Sequence, residues 1–148
     1  VSIDPAWAKP MAYALFEENK LKYYDYFDDI GYLDQSLFQD IDLFVTEDPY
    51  PGGDVKKYSY RGHSQTYKTL CFAVGMVVQL AGSLRADFKL IRPVAWKTYY
   101  SLTKSTPEVI QKEIRLNLTG VINDEDLQDA ILIGRYYLEH VRVLEAER

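Results

Sequence analysis

Four carboxylates in this chain, Asp4, Glu47, Asp126 and Asp129, have the types and spacing that metal-dependent phosphodiester cleavage needs. Asp4 ends the first apolar run, Val1-Ser2-Ile3-Asp4, and Glu47 ends a second, Ile41 to Glu47. Asp126 and Asp129 lie three apart at the start of a long amphipathic stretch, so a helix puts them on one face. Hard divalent cations such as Mg²⁺ take oxygen ligands from carboxylates. Two such ions a few ångström apart can hold both the attacking and the leaving oxygen of a phosphodiester. Acids also serve plainer ends: a strand-terminal Asp can bond backbone amides, and a first helical turn favours negative charge. Asp124 and Glu125 suit that helix-dipole role better than Asp129, which lies deeper in its helix. Asp48 points away from Glu47 along a strand and reads as solvent-facing. Four clustered carboxylates without metal would repel one another and raise some of their pKa values.

Charge is distributed unevenly around these acids. The net charge of −5 argues against a nucleic-acid partner, but residues 51–115 carry 11 basic and 4 acidic groups. Residues 1–50 carry 3 and 11. A basic surface from the middle third is therefore expected. Lys56, Lys57, Arg61, His63 and Lys68 form one basic stretch, and Lys89, Arg92, Lys97 and Lys104 a second. Either can contact phosphates, with Lys68 and Lys97 the leading candidates; each can equally be an ordinary surface lysine. Tyr50, Tyr58 and Tyr60 are interleaved with the first stretch, while Trp96, Tyr99 and Tyr100 read as core.

The elements that must position these groups follow from the pattern. Val1 to Asp4 reads as a short strand, followed by Met11 to Glu17 and Leu21 to Phe27 around a Glu18-Asn19-Lys20 turn. A short helix is expected over Asp34 to Gln39, then a buried strand over Ile41 to Thr46. Asp48 to Gly62, with Pro49, Pro51, Gly52 and Gly53, reads as a long loop of the kind that is often functional. Ser64 to Ala81 has helical periodicity in Ala73, Val77, Leu80 and Ala81, with Gly82 as its stop. A strand over Phe88 to Ile91, a helix from Pro93 through Leu102 and a helix from Pro107 to Leu118 capped by Thr106 come next. One last helix is expected from Asp124 to Ala146. The order implies an α/β domain: a mixed five-stranded sheet, antiparallel meander plus parallel strands, with helices on its faces.

The length of 148 residues suits a single domain, residues 1–148, with a real core. No apolar run reaches membrane-spanning length, no signal peptide is visible, and no organic cofactor is expected. Cys71 is the one cysteine, read as a packed core thiol in a reducing cytoplasm. His63 and His140 offer no zinc spacing.

Three motifs carry a family resemblance across nearly the whole chain. Ile3-Asp4-Pro5, Phe44-Val45-Thr46-Glu47 and Asp126-Leu127-Gln128-Asp129-Ala130 occur in that order with the right elements between them. Together they resemble the RuvC family of Holliday-junction resolvases, within the ribonuclease H-like superfamily. The resemblance implies a ribonuclease H-like fold with Asp4, Glu47, Asp126 and Asp129 as catalytic metal ligands. It implies two Mg²⁺ per site, with Mn²⁺ as substitute, and a metal-bound water that attacks phosphorus in line. It also implies a homodimer built with a helix in the 64–81 region, cutting a four-way DNA junction by paired symmetric nicks. An aromatic of the long loop, Tyr50, Tyr58 or Tyr60, would stack into the opened junction. A bacterial or phage-infected cytoplasm is the implied setting. The chain departs from the family in its first turn, where Ala6-Trp7-Ala8-Lys9-Pro10 replaces a glycine-containing run, so Trp7 and Lys9 alter how this turn meets metal or phosphate.

Two other functions fit the same fold. One is a ribonuclease acting on RNA–DNA hybrid or structured RNA, since no residue pattern here settles recognition of the 2′-hydroxyl. The other is a non-catalytic junction-binding protein, which the presence of all four acids opposes. An actin-like ATPase needs a second such domain and phosphate loops that 148 residues do not supply.

Overall fold

The computed structural model describes residues 1–27, 35–49 and 61–148. Five strands form one sheet in the order β3-β2-β1-β4-β5. They are β1 Ser2–Asp4, β2 Met11–Glu17, β3 Lys20–Phe27, β4 Leu43–Glu47 and β5 Asp87–Ile91. β1, β2 and β3 pair antiparallel, and β4 runs parallel to both β1 and β5. This is the expected mixed sheet. Its helices are α1 Arg61–Ser83, α2 Pro93–Tyr99, α3 Glu108–Thr119, α4 Glu125–Tyr136 and α5 Arg142–Ala146.

Alternation along the strands sorts side chains between two layers. Ile3, Met11, Tyr13 and Phe44 pack with Ala73, Val77, Leu80 and Ala81 of α1 on one face. Val45 and Ile91 pack with Trp96 of α2 and with Leu132 and Ile133 of α4 on the other. Ala12 and Ala14 leave room for Ala130 and Ile131, which lets α4 settle close to the sheet. Ser2 fixes that contact, its Oγ donating to the Ala130 carbonyl at 2.6 Å. Helices on both faces bury each large apolar side chain for roughly 1.5–3 kcal/mol.

Several boundaries differ from expectation. α1 starts at Arg61 and ends at Ser83, one turn longer than its apolar periodicity. The short helix before β4 is a single 3₁₀ turn, Gln35–Phe38. α2 stops at Tyr99 rather than Leu102, and Ser101 takes a left-handed φ of 59° that turns the chain out of the helix. Pro107, not Thr106, holds the N-cap of α3, because the Thr106 hydroxyl donates to the Ser101 carbonyl instead. The long terminal helix is broken by a π turn at Tyr137–Val141. Trp96 and Tyr100 are core, but Tyr99 is 47% exposed. Cys71 is half-buried rather than fully packed. Among the described residues no helix is long and apolar enough to cross a membrane.

Candidate metal centre

Asp4 and Glu47 arrive at the same end of two inner strands by register. Ser2 lies opposite Val45 and Ile3 opposite Thr46 in parallel strands, so the next residues, Asp4 and Glu47, end side by side. Both have the parity of Ser2 and Val45, which face α4. The N-terminus of α4 then brings Asp126 and Asp129 to the same place. Asp124 caps that helix, accepting from the Leu127 amide at 3.1 Å and from the Tyr26 hydroxyl at 2.5 Å. That is the local role expected of it.

Burial and neighbouring charge together set the state of these acids. The Asp4 carboxyl is pushed up to about 8, first by burial and then by the charges of Asp129, Glu47 and Asp126. Among the described residues its side chain has neither hydrogen bond nor ion pair. Burial also raises Glu47, opposed by the Lys97 ammonium and by a hydrogen bond from Trp96 Nε1 at 2.8 Å. Burial raises Asp129 too, opposed chiefly by Arg115. The charges of Glu47, Asp126 and Asp129 thus all bear on Asp4, and that of Asp129 on Glu47.

Three of the acids are engaged within the chain. Arg115 of α3 is buried and its Nη1 donates to Asp129, while its Nη2 lies 3.7 Å from Glu125. Lys9 Nζ donates to Asp126 Oδ2 at 2.7 Å. Trp96 holds Glu47. Among the described residues no group of three or more His, Cys, Asp or Glu side chains is arranged to hold a metal ion. The donor chemistry nonetheless suits a hard divalent cation: all oxygen, with a half-buried Asp4 that lacks a partner and whose charge its acidic neighbours oppose. Asp4, Glu47, Asp126 and Asp129 are the residues that would hold it.

Of these partners, Arg115 escaped the sequence reading. Its signal was its place four residues after Gln111 and three before Leu118, on the inward face of α3. Trp96 was read only as core, and its indole also ties α2 to Glu47.

The basic candidates divide. Lys97 lies near Glu47 and Asp129, with its ammonium 5.1 Å from the centroid of the Trp96 ring. Lys68 and Arg92 are exposed. Lys89 is engaged by Glu145 of α5, which draws it from the free basic surface. Lys56, Lys57, Tyr50, Tyr58 and Tyr60 lie outside the described residues, as does the side chain of Arg61. Trp7, from the divergent first turn, is 48% exposed and packs in a tilted contact, ring centroids 5.6 Å apart, against Phe72 of α1, itself 60% exposed. Ala8 in the same turn adopts a left-handed φ of 60°, a conformation that glycine takes without the clash a Cβ brings.

No protein-family model matches the chain, and no curated protein matches it by sequence. Solved structures do. The Thermus thermophilus RuvC structure superimposes with a TM-score of 0.61 at 14% identity, covering 96% of this chain and 94% of that one. T. thermophilus RuvC in complex with a Holliday junction substrate gives 0.65 at 15% identity, covering 96% and 93%. The five-stranded mixed sheet with helices on both faces is therefore the ribonuclease H-like fold of those structures.

Proposed function

We propose that this protein is a divalent-metal-dependent endonuclease that resolves four-way DNA junctions by paired symmetric nicks. The observation that carries the reading is the convergence of Asp4 and Glu47, at the adjacent ends of the inner strands β1 and β4, with Asp126 and Asp129 of α4, whose charges bear on Asp4. The likeness to a protein solved with a Holliday junction supports the choice of substrate. Divalent ions such as Mg²⁺ or Mn²⁺, two per site, would be held by Asp4, Glu47, Asp126 and Asp129 and would supply activation of water and stabilisation of a leaving oxygen. The chain itself does the positioning. Parallel register fixes Asp4 beside Glu47, the Trp96 indole orients Glu47, and the Arg115 guanidinium orients Asp129. Lys97, near Glu47 and Asp129, holds a phosphate beside the acids, and the exposed Lys68 and Arg92, together with Lys56, Lys57 and Arg61, add phosphate contacts, while Lys89 is engaged by Glu145. Tyr50, Tyr58 and Tyr60 supply stacking. A homodimer through the outer side of α1, where among the described residues nothing lies within 4 Å of a Cβ built at Gly75 or Gly82, would present two sites to two equivalent phosphates.

The test is direct. Purified protein with Mg²⁺ or Mn²⁺ is given a mobile four-way junction in competition with linear duplex and RNA–DNA hybrid. Symmetric paired nicks in the junction are expected. Asp4→Asn should abolish them while leaving junction binding in Ca²⁺ intact. Preferential cleavage of the hybrid would move the protein to the ribonuclease reading. One observation favours a second reading, a junction-binding protein without catalysis: Arg115 and Lys9 already neutralise two of the acids. Under that reading wild type cuts none of the three substrates and Asp4→Asn changes nothing.

A further inference from the structure

The pairing of Lys9 with Asp126 differs in kind from that of Arg115 with Asp129. The Arg115 and Asp129 side chains are 10% and 14% exposed, a fixed buried pair. Those of Lys9 and Asp126 are 56% and 37% exposed, so water and ions reach this pair. Lys9 is also pre-aimed. It stands between left-handed Ala8 and Pro10, and its ammonium feels Asp4 and Asp124 as well as Asp126. A strongly hydrated ammonium on a flexible stem is an exchangeable counter-ion, whereas a buried guanidinium is not.

We propose that Lys9 is a built-in counter-cation of the carboxylate site, displaced from Asp126 by a divalent ion and thereby freed to hold a phosphate of the DNA. The inference rests on the metal-dependent reading above. Before loading, Lys9 neutralises the acid nearest solvent and limits repulsion within the cluster. On loading, the ion takes over Asp126 and the ammonium moves to the nearest remaining anion, the substrate backbone. Metal and DNA binding are then coupled through one side chain, and Lys9 acts as a positioning residue.

Three measurements test this without cleavage. The first is Mn²⁺ titration of the DNA-free protein by calorimetry. Lys9→Met should bind the ion about threefold to fivefold more tightly than wild type, the scale of an exposed ion pair. Lys9→Arg should stay near wild type. The second is the ¹⁵N resonance of the Lys9 ammonium, identified by its loss in Lys9→Met. Its hydrogen-bonded signal should move when Mg²⁺ is added. The third is the salt dependence of junction binding. In Ca²⁺ the log–log slope for wild type should exceed that of Lys9→Met by about 0.9, one phosphate contact, and without divalent ion the two should coincide.

If wild type binds no Mn²⁺, the metal-dependent reading itself fails. If wild type binds but Lys9→Met has the same or weaker affinity, only the displacement fails. An ammonium signal unmoved by Mg²⁺, or equal slopes in Ca²⁺, also overturns the proposal and leaves the metal site standing.

Discussion

The indole Nε1–H of Trp96 donates to Oε1 of Glu47 at 2.8 Å, so a wholly buried core residue of α2 also orients an acid at the end of β4. Trp96→Phe keeps most of the apolar volume and removes that donor. Loss of a partner that orients a metal ligand typically costs 10–100-fold in metal affinity or activity. The expected outcome is a Mn²⁺ affinity weakened by about tenfold or more, read by titration, with far-ultraviolet circular dichroism unchanged. Unaltered affinity would mean that Glu47 is held by β4 alone.

Gly134 shows how tightly α4 rests on the strands. A Cβ there would lie 2.4 Å from Phe16 Cε2 and 2.5 Å from Ser2 Oγ. Ser2 is fixed by its bond to Ala130, so it has little freedom to withdraw. Gly134→Ala should therefore destabilise the fold by roughly 1–3 kcal/mol despite the better helix propensity of Ala. Because the strain shifts α4, junction cleavage should fall as well. Urea midpoints compared at constant m-value measure the first effect.

Arg115 makes the opposite point about charge. Removing one member of a buried ion pair leaves the other uncompensated, at a cost of about 3–5 kcal/mol. Arg115→Met should cost that much in metal-free protein, because Asp129 is already raised by burial and would lose its main opposing interaction. Added Mg²⁺ should recover part of the loss, since the ion supplies a replacement positive charge. Paired urea titrations with and without Mg²⁺ test this, and equal losses under both conditions would show that no ion reaches Asp129.

The acids were legible because they break local rules. Asp4 and Glu47 end apolar strands, and Asp129 sits where helix-dipole stabilisation has faded. The succession of elements and the mixed character of the sheet were legible from period-two and helical patterns; the strand order β3-β2-β1-β4-β5 was not. The partners were not, because each pairing joins elements distant in sequence. Arg115 meets Asp129 only after α3 packs on α4, and Lys9 meets Asp126 across 117 positions. The π turn at Tyr137–Val141 was invisible for another reason: the apolar stripe continues through it, and periodicity does not register one widened turn. The polar tie from Trp96 was masked by its burial, which alone accounts for an aromatic at that position.

The metal-free protein should lose stability as pH rises. Asp4 titrates at its ordinary value of 3.8 when unfolded and at about 8 when folded. Between those values the folded state holds a proton that the unfolded state has released, so stability falls with rising pH and levels off above about 8. The slope reaches at most about 1.4 kcal/mol per pH unit for one group. Glu47 and Asp129, also raised, act with the same sign. The α-amino group of Val1, brought down to about 6 by burial, acts oppositely between 6 and 8. The informative quantity is therefore the difference between wild type and Asp4→Asn, which keeps every other group. Urea midpoints from pH 5 to 8.5 should show Asp4→Asn gaining on wild type steadily, and Mg²⁺ should reverse that order by favouring the ionised carboxylate. A difference independent of pH would mean that the Asp4 carboxyl is raised neither by its burial nor by the charges of its three neighbours.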